Sequence, residues 1–159
     1  MMKKILLLLF SLLSVNFAFA QTKNIEFEPR VGISCLTEYN GRGANIGYNI
    51  GGMVSVPITE RFYINPGMSF FSTKLSNENI GALQVPIYAS YRIPIKESLL
   101  HLNAGPYAVL GAYDFGLSAE IGIEYKKWYG AINTYQSLLI GEMTGIFGLS
   151  LGYKFSLHK

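Results

Sequence analysis

Residues 44–58 read Ala-Asn-Ile-Gly-Tyr-Asn-Ile-Gly-Gly-Met-Val-Ser-Val-Pro-Ile, and this stretch decides the fold. One register holds Ala44, Ile46, Tyr48, Ile50, Gly52, Val54, Val56 and Ile58. The other holds Asn45, Gly47, Asn49, Gly51, Met53, Ser55 and Pro57. Successive side chains of a strand point to opposite faces, so the segment has one oily face and one small, polar face. It is longer than the usual strand of about five or six residues, and its glycines argue against a helix. A tilted strand crossing a bilayer needs about 9–11 residues of this alternation.

The pattern recurs about eight times. The first strand spans about Arg30 to Tyr39, with Val31, Ile33, Cys35, Thr37 and Tyr39 on the outer face. A turn signal at Asn40-Gly41-Arg42-Gly43 leads into residues 44–58. Thr59-Glu60 turns the chain into the third strand, about Arg61 to Thr73, with Phe62, Ile64, Pro66, Met68 and Phe70 outward. A polar stretch, about Lys74 to Gly81, reads as the longest loop. The fourth strand, about Ala82 to Ile95, sets Leu83, Val85, Ile87, Ala89 and Tyr91 against Gln84, Pro86, Tyr88, Ser90 and Arg92. Pro86 and Pro94 each remove a ladder donor, which predicts a bulge or a weak pairing. The fifth strand turns Leu100, Leu102, Ala104, Pro106 and Ala108 outward, with His101, Asn103, Gly105 and Tyr107 inward. After Tyr113-Asp114, the sixth turns Phe115, Leu117, Ala119, Ile121, Ile123 and Tyr125 outward. Lys126-Lys127 is a tight turn. The seventh, about Trp128 to Leu139, has two registers of nearly equal polarity, so its inward face stays open. Gly141-Glu142 marks a loop, and the eighth alternates clearly from Ile146 to Leu157.

An even number of strands returns both chain ends to one side of the membrane. Turns after even strands are then periplasmic and loops after odd strands external. The expected fold is all-β: an eight-stranded antiparallel up-and-down transmembrane β-barrel over residues 21–159, after a cleaved signal peptide at 1–20. Lys3 and Lys4, the apolar run Ile5 to Leu13 and Ala18-Phe19-Ala20 form that signal, with cleavage between Ala20 and Gln21. Without Lys3 and Lys4 the charge falls from +3 to about +1, so the basic pI argues for no nucleic-acid partner. Charged residues make up 14% of the chain, against about 25% in ordinary globular domains. Such a deficit suits a surface that faces lipid. Cys35, the single cysteine, reads as a small lipid-facing hydrophobe and excludes an intrachain disulfide.

The inward register carries Arg30, Glu38, Arg92, Glu120, Glu124 and Lys154. Charges in a narrow lumen must pair or be hydrated. Either they plug a rigid barrel, or they form a binding site or solute path. Eight strands leave room only for side chains or one small ligand, which disfavours a general diffusion pore. An enzyme is not expected. The mature chain has two histidines, and His101 lies about 30–40 Å of strand away from Asp114, the only aspartate. No metal spacing and no cofactor motif are present. Tyr125, Trp128, Tyr153 and Phe155 read as an aromatic girdle near the periplasmic ends; Tyr39, Phe70, Tyr113 and Phe115 read as its external counterpart.

Leu83-Gln84-Val85-Pro86-Ile87-Tyr88 with Ser90-Tyr91-Arg92 resembles a strand of the outer-membrane β-barrel domain family, the PorT-like porin-family proteins of Gram-negative envelopes. Asn103-Ala104-Gly105-Pro106-Tyr107, Tyr113-Asp114-Phe115-Gly116-Leu117, Gly122-Ile123-Glu124-Tyr125 and Leu149 to Phe155 resemble its following strands, in order. Two departures stand out. Thr134-Tyr135 replaces the family's Arg-Tyr pair, and Ser156-Leu157-His158-Lys159 follow the closing Phe155. The resemblance implies an eight-stranded barrel in the outer membrane and no single activity. Expected partners are outer-membrane lipid, the barrel-assembly machinery and envelope proteins. The leading role is structural or interactive and non-enzymatic. Alternatives are a ligand-binding or transport barrel and a soluble periplasmic lipocalin-like carrier, in which the oily register would face inward.

Overall fold

The protein is described by a computed structural model over residues 25–37, 44–75, 78–110, 114–138 and 145–157. The expected signal peptide with its expected cleavage between Ala20 and Gln21, and Glu38, Tyr39 and Tyr113, lie outside those residues, as do the expected turn at Asn40 to Gly43 and the expected loop at Gly141-Glu142. The strands are β1 (Glu26–Thr37), β2 (Ala44–Pro57), β3 (Phe62–Leu75), β4 (Glu78–Ile95), β5 (Ser98–Leu110), β6 (Asp114–Tyr125), β7 (Trp128–Ser137), β8 (Gly145–Tyr153) and β9 (Phe155–Ser156). β9 continues β8 past Lys154 in the same register against β1. From β1 to β8 every strand pairs antiparallel with its sequence neighbour, and β1 also pairs with β8 and its continuation β9, so eight strands close into a barrel. Both ends of the described chain emerge at one rim, the termini end; the opposite rim is the loop end.

Register sets the shape. Following the ladder once round from Glu26 through Ser55, Asn65, Tyr88, Gly105, Ser118, Tyr135 and Ile146 returns to Leu36, ten residues further along β1. Eight strands with that stagger, at the usual strand spacings, tilt by about 40° and close at a backbone radius of about 8 Å.

The oily register faces out. Val31, Ile50, Ile121, Ile132 and Leu149 are each more than half exposed, whereas Tyr88, Ser90, His101, Glu120 and Tyr129 are fully buried inside. This is the reverse of a lipocalin-like carrier. The ambiguous seventh strand resolves here: Tyr129, Ala131, Asn133, Tyr135 and Ser137 point inward, and Ile132, Thr134 and Gln136 outward. Its neighbours dictate the choice, because the opposite register would bury Trp128 and expose Tyr129 and Asn133 to the apolar belt.

Two boundaries differ from expectation. β1 begins four residues before Arg30, because Glu26 and Glu28 continue the polar register while Phe27 and Pro29 continue the outer one. The stretch expected as the longest loop, Lys74 to Gly81, is largely a ribbon: Thr73, Lys74 and Leu75 pair with Ile80, Asn79 and Glu78. The polarity of these residues in sequence gives no apolar alternation to mark the pairing. At Pro86 the ladder is interrupted, as are the ladders beside Pro66 and Pro106, yet the register is the same on both sides and no bulge forms. At Pro94 pairing runs on unbroken through Ile93, Pro94 and Ile95. A proline is tolerated wherever the ladder does not call on its nitrogen. Lys96 and Lys126, at the two tight turns, adopt positive φ of 53° and 58°, the conformation short hairpin turns demand.

Candidate functional site

Among the described residues, charged side chains converge in the barrel interior, and strand alternation puts them there. Glu26, Glu28 and Arg30 follow one another on the inner face of β1. From β6, Glu120 and Glu124 point inward, from β5 His101 and Asn103, from β4 Arg92, from β7 Tyr129, and Lys154 stands at the β8–β9 junction. Glycines make room. A Cβ on Gly122 would lie 2.1 Å from the Tyr129 hydroxyl, and one on Gly152 would lie 2.8 Å from Glu28 Oε1. Large inward side chains thus fold over glycines of adjacent strands.

Arg30 is the hub. Its Nε donates to Glu28 Oε1, and its Nη1 donates to Glu120 Oε2 at 2.7 Å. Its guanidinium carbon lies 4.6 Å from the centre of the Tyr129 ring. Glu120 is saturated: the Tyr129 hydroxyl and Asn103 Nδ2 each donate to its Oε1 at 2.7 Å. Nearer the termini end, Lys154 Nζ donates to Glu124 Oε2 at 2.5 Å, and His101 Nε2 lies 2.9 Å from the same oxygen. Arg92 Nη1 pairs with Glu26 Oε2 at 2.9 Å, and its guanidinium stacks 3.5 Å above the Tyr63 ring. Buried charges need such pairing to be tolerated; Arg92 is the least satisfied, with its Nε and Nη2 buried and without a hydrogen-bond partner.

Towards the loop end the chemistry changes. Ala82, Tyr107 and Val109 form an apolar cluster with Phe71 and Tyr135 packed against it. Tyr107 and Tyr135 meet edge to face at 5.3 Å, and the Tyr88 hydroxyl donates to that of Tyr135 at 3.3 Å. Between this cluster and the ion pairs lies a cavity of about 30 Å³, lined among others by Arg30, Ser34, Gln84, Asn133, Tyr135 and Ser150. That is room for one or two water molecules.

Of the residues singled out from sequence, Arg30 and Glu120 meet directly, and so do Glu124 and Lys154. Arg92 joins them through Glu26, which also lies 3.6 Å from Lys154. Glu38 lies outside the described residues. Glu26 and Glu28 join the network although the expected first strand starts only at Arg30; the spacing Glu26-x-Glu28-x-Arg30 carries the signal. Tyr129 and Asn103 were missed because a neutral inward side chain is not marked as a network member by its type. His101 turns to Glu124, and its ring packs edge-on to Tyr129 at 5.1 Å. Asp114 sits at the loop end, where it accepts from the Ser137 hydroxyl at 2.6 Å. Among the described residues no group of three or more His, Cys, Asp or Glu could hold a metal ion. Outside, Trp128 meets Tyr153 edge to face at 5.1 Å, and Tyr153 meets Phe155 at 5.0 Å, with Tyr125 paired to Trp128 on the adjacent strand. Phe70 and Phe115 are exposed on the same outer surface towards the loop end.

No protein-family model matches the chain, and no curated protein is similar to it in sequence. Solved structures are similar in fold. Neisserial surface protein A matches with a TM-score of 0.66 at 12% identity, over 85% of this chain and 98% of that one. Ail, the attachment invasion locus protein of Yersinia pestis, matches at 0.53 and 14%, over 84% and 100%. The N-terminal β-barrel domain of Pseudomonas aeruginosa OprF matches at 0.50 and 10%, over 83% and 97%. The chain therefore shares the eight-stranded antiparallel barrel fold of these proteins.

Proposed function

We propose that the chain is a small, non-enzymatic outer-membrane protein of a Gram-negative envelope. Its barrel is a closed anchor, and the segments joining strands at its loop end meet envelope partners. The observation that carries this reading is the pairing of an apolar exterior with a filled interior. The outer register is oily apart from Thr134 and Gln136 on β7, while among the described residues ion pairs and tyrosines fill the interior around a cavity of about 30 Å³. The girdle of Tyr125, Trp128, Tyr153 and Phe155 fits a membrane interface at the termini end. That end would then be periplasmic, with outer-membrane lipid around the belt and the barrel-assembly machinery inserting the chain. The run of motifs that resembles PorT-like barrels supports reading it as one of them.

Two measurements test this reading. In fractionated cells the protein should enrich with outer membranes and migrate faster on a gel before boiling than after. Reconstituted in liposomes, it should not admit sugars. A soluble protein without the mobility shift, or a sugar-permeable barrel, would overturn it.

A further inference from the structure

Along the barrel axis the interior has a fixed order. From the termini end come the ion pairs, then the small polar cavity, then the apolar cluster of Phe71, Ala82, Tyr107, Val109 and Tyr135, which links β3, β4 and β5 to β7 across the lumen. A path through the barrel meets these layers in series. They differ in what they offer a permeating ion. The ionic layer and cavity offer carboxylates, amides and hydroxyls that replace hydration. Gln84 Nε2, Ser34 Oγ and Ser150 Oγ, from residues lining the cavity, are buried and have no hydrogen-bond partner. The apolar cluster offers less: the Tyr135 hydroxyl is engaged by Tyr88, and apart from the Tyr107 hydroxyl the other side chains are rings and methyls. Apolar constrictions close pores by excluding water, and a polar lining does not.

We propose that the apolar cluster, and not the ion-pair network, is the barrier to permeation, and that the interior beneath it forms a vestibule suited to small monovalent cations. This rests on the reading of the barrel as membrane-spanning. The sign of the charge follows from the interior itself. Among the described residues beneath the cluster, the four carboxylic side chains of Glu26, Glu28, Glu120 and Glu124 face three basic ones, Arg30, Arg92 and Lys154, so with all seven ionised and His101 neutral one negative charge is left over. A low-dielectric wall concentrates that excess on whatever enters.

The test uses the full-length mature protein in proteoliposomes loaded with a dye quenched by thallium, and a parallel set with a dye quenched by iodide. Wild type should admit neither ion. Phe71→Ser and Tyr107→Ser should raise thallium entry by at least about tenfold and leave iodide entry almost unchanged. Val109→Thr is nearly isosteric and preserves the packing, so it should give a smaller rise in the same direction even if the larger replacements fail to fold. Lys154→Met with Glu124→Gln breaks the ionic layer and should stay sealed. The proposal is overturned if wild type already passes thallium, if the folded cap variants stay sealed, or if the ionic-layer variant opens. If wild type neither inserts nor shows the mobility shift, the membrane reading fails first.

Discussion

Replacing Arg30 should cost more than replacing either of its partners, and the difference follows from the geometry. Arg30 holds two carboxylates at once, Glu28 and Glu120, and lies against the Tyr129 ring. Glu120→Gln removes one charge, keeps an acceptor for Tyr129 and Asn103, and leaves Arg30 paired with Glu28. Breaking a buried pair costs about 3–5 kcal/mol, and the surviving partner puts this variant at about 3 or below. Arg30→Met strands two carboxylates in the same space. The nearest remaining cation, Lys154 Nζ, is 3.8 Å from Glu28 and already bound to Glu124. A loss of about 5 kcal/mol or more is therefore expected. Adding Glu28→Gln and Glu120→Gln to Arg30→Met should recover most of it, because neutral groups of the same shape replace the whole cluster. Urea titration of the refolded protein in lipid vesicles reads these differences through Trp128, the single tryptophan, which is exposed on the outer belt. If Arg30→Met costs no more than Glu120→Gln, or if the triple variant is worse than Arg30→Met alone, the hub argument is wrong.

Other outcomes are equally direct. Gly122→Ala should lose about 2 kcal/mol in the same titration, because its Cβ would strike a Tyr129 hydroxyl held by Glu120 and Asn103; Gly130→Ala, with no atom within 4 Å of the new Cβ, should be neutral or gain up to about 0.5 kcal/mol. Lys96→Gly should gain about 1 kcal/mol by relieving a side chain at φ 53°, and an unchanged urea midpoint would show that the turn is not strained. Ile132→Arg, on the belt at 63% exposure, should cost about 2–4 kcal/mol in bilayers, and equal stability of variant and wild type there would contradict a lipid-facing β7.

Most of the architecture was legible from alternation, because a barrel wall has only two faces and a one-residue slip exchanges them. Val31, Ile33 and Cys35 or Phe147, Leu149 and Leu151 needed no tertiary information. β7 did: Ile132, Thr134 and Gln136 are as polar as Asn133, Tyr135 and Ser137, and only Trp128 beside Tyr125 and Tyr153 decides between them. The interior was legible as a set of charges but not as a network. Which carboxylate meets Arg30 depends on shear and tilt, which bring residues ninety positions apart to 2.7 Å. The apolar cluster was hidden for a related reason. Phe71, Ala82 and Val109 look like breaks in the polar register until the barrel closes and brings them together.

The ten-residue stagger also fixes how tall the barrel stands. At a tilt of about 40°, each residue climbs about 2.5 Å along the axis. On β5 the outward run from Leu100 to Leu110 is unbroken by any charge, and its ten steps amount to an oily belt about 25 Å high. A hydrocarbon layer of that depth would take up the barrel undistorted. A thicker one would have to thin around it, at a cost of a fraction of a kcal/mol per Å of mismatch, since a closed ladder of backbone hydrogen bonds cannot lengthen to meet it. The barrel is in this sense a gauge of bilayer thickness, and it should partition towards the thinner of any two membranes offered to it.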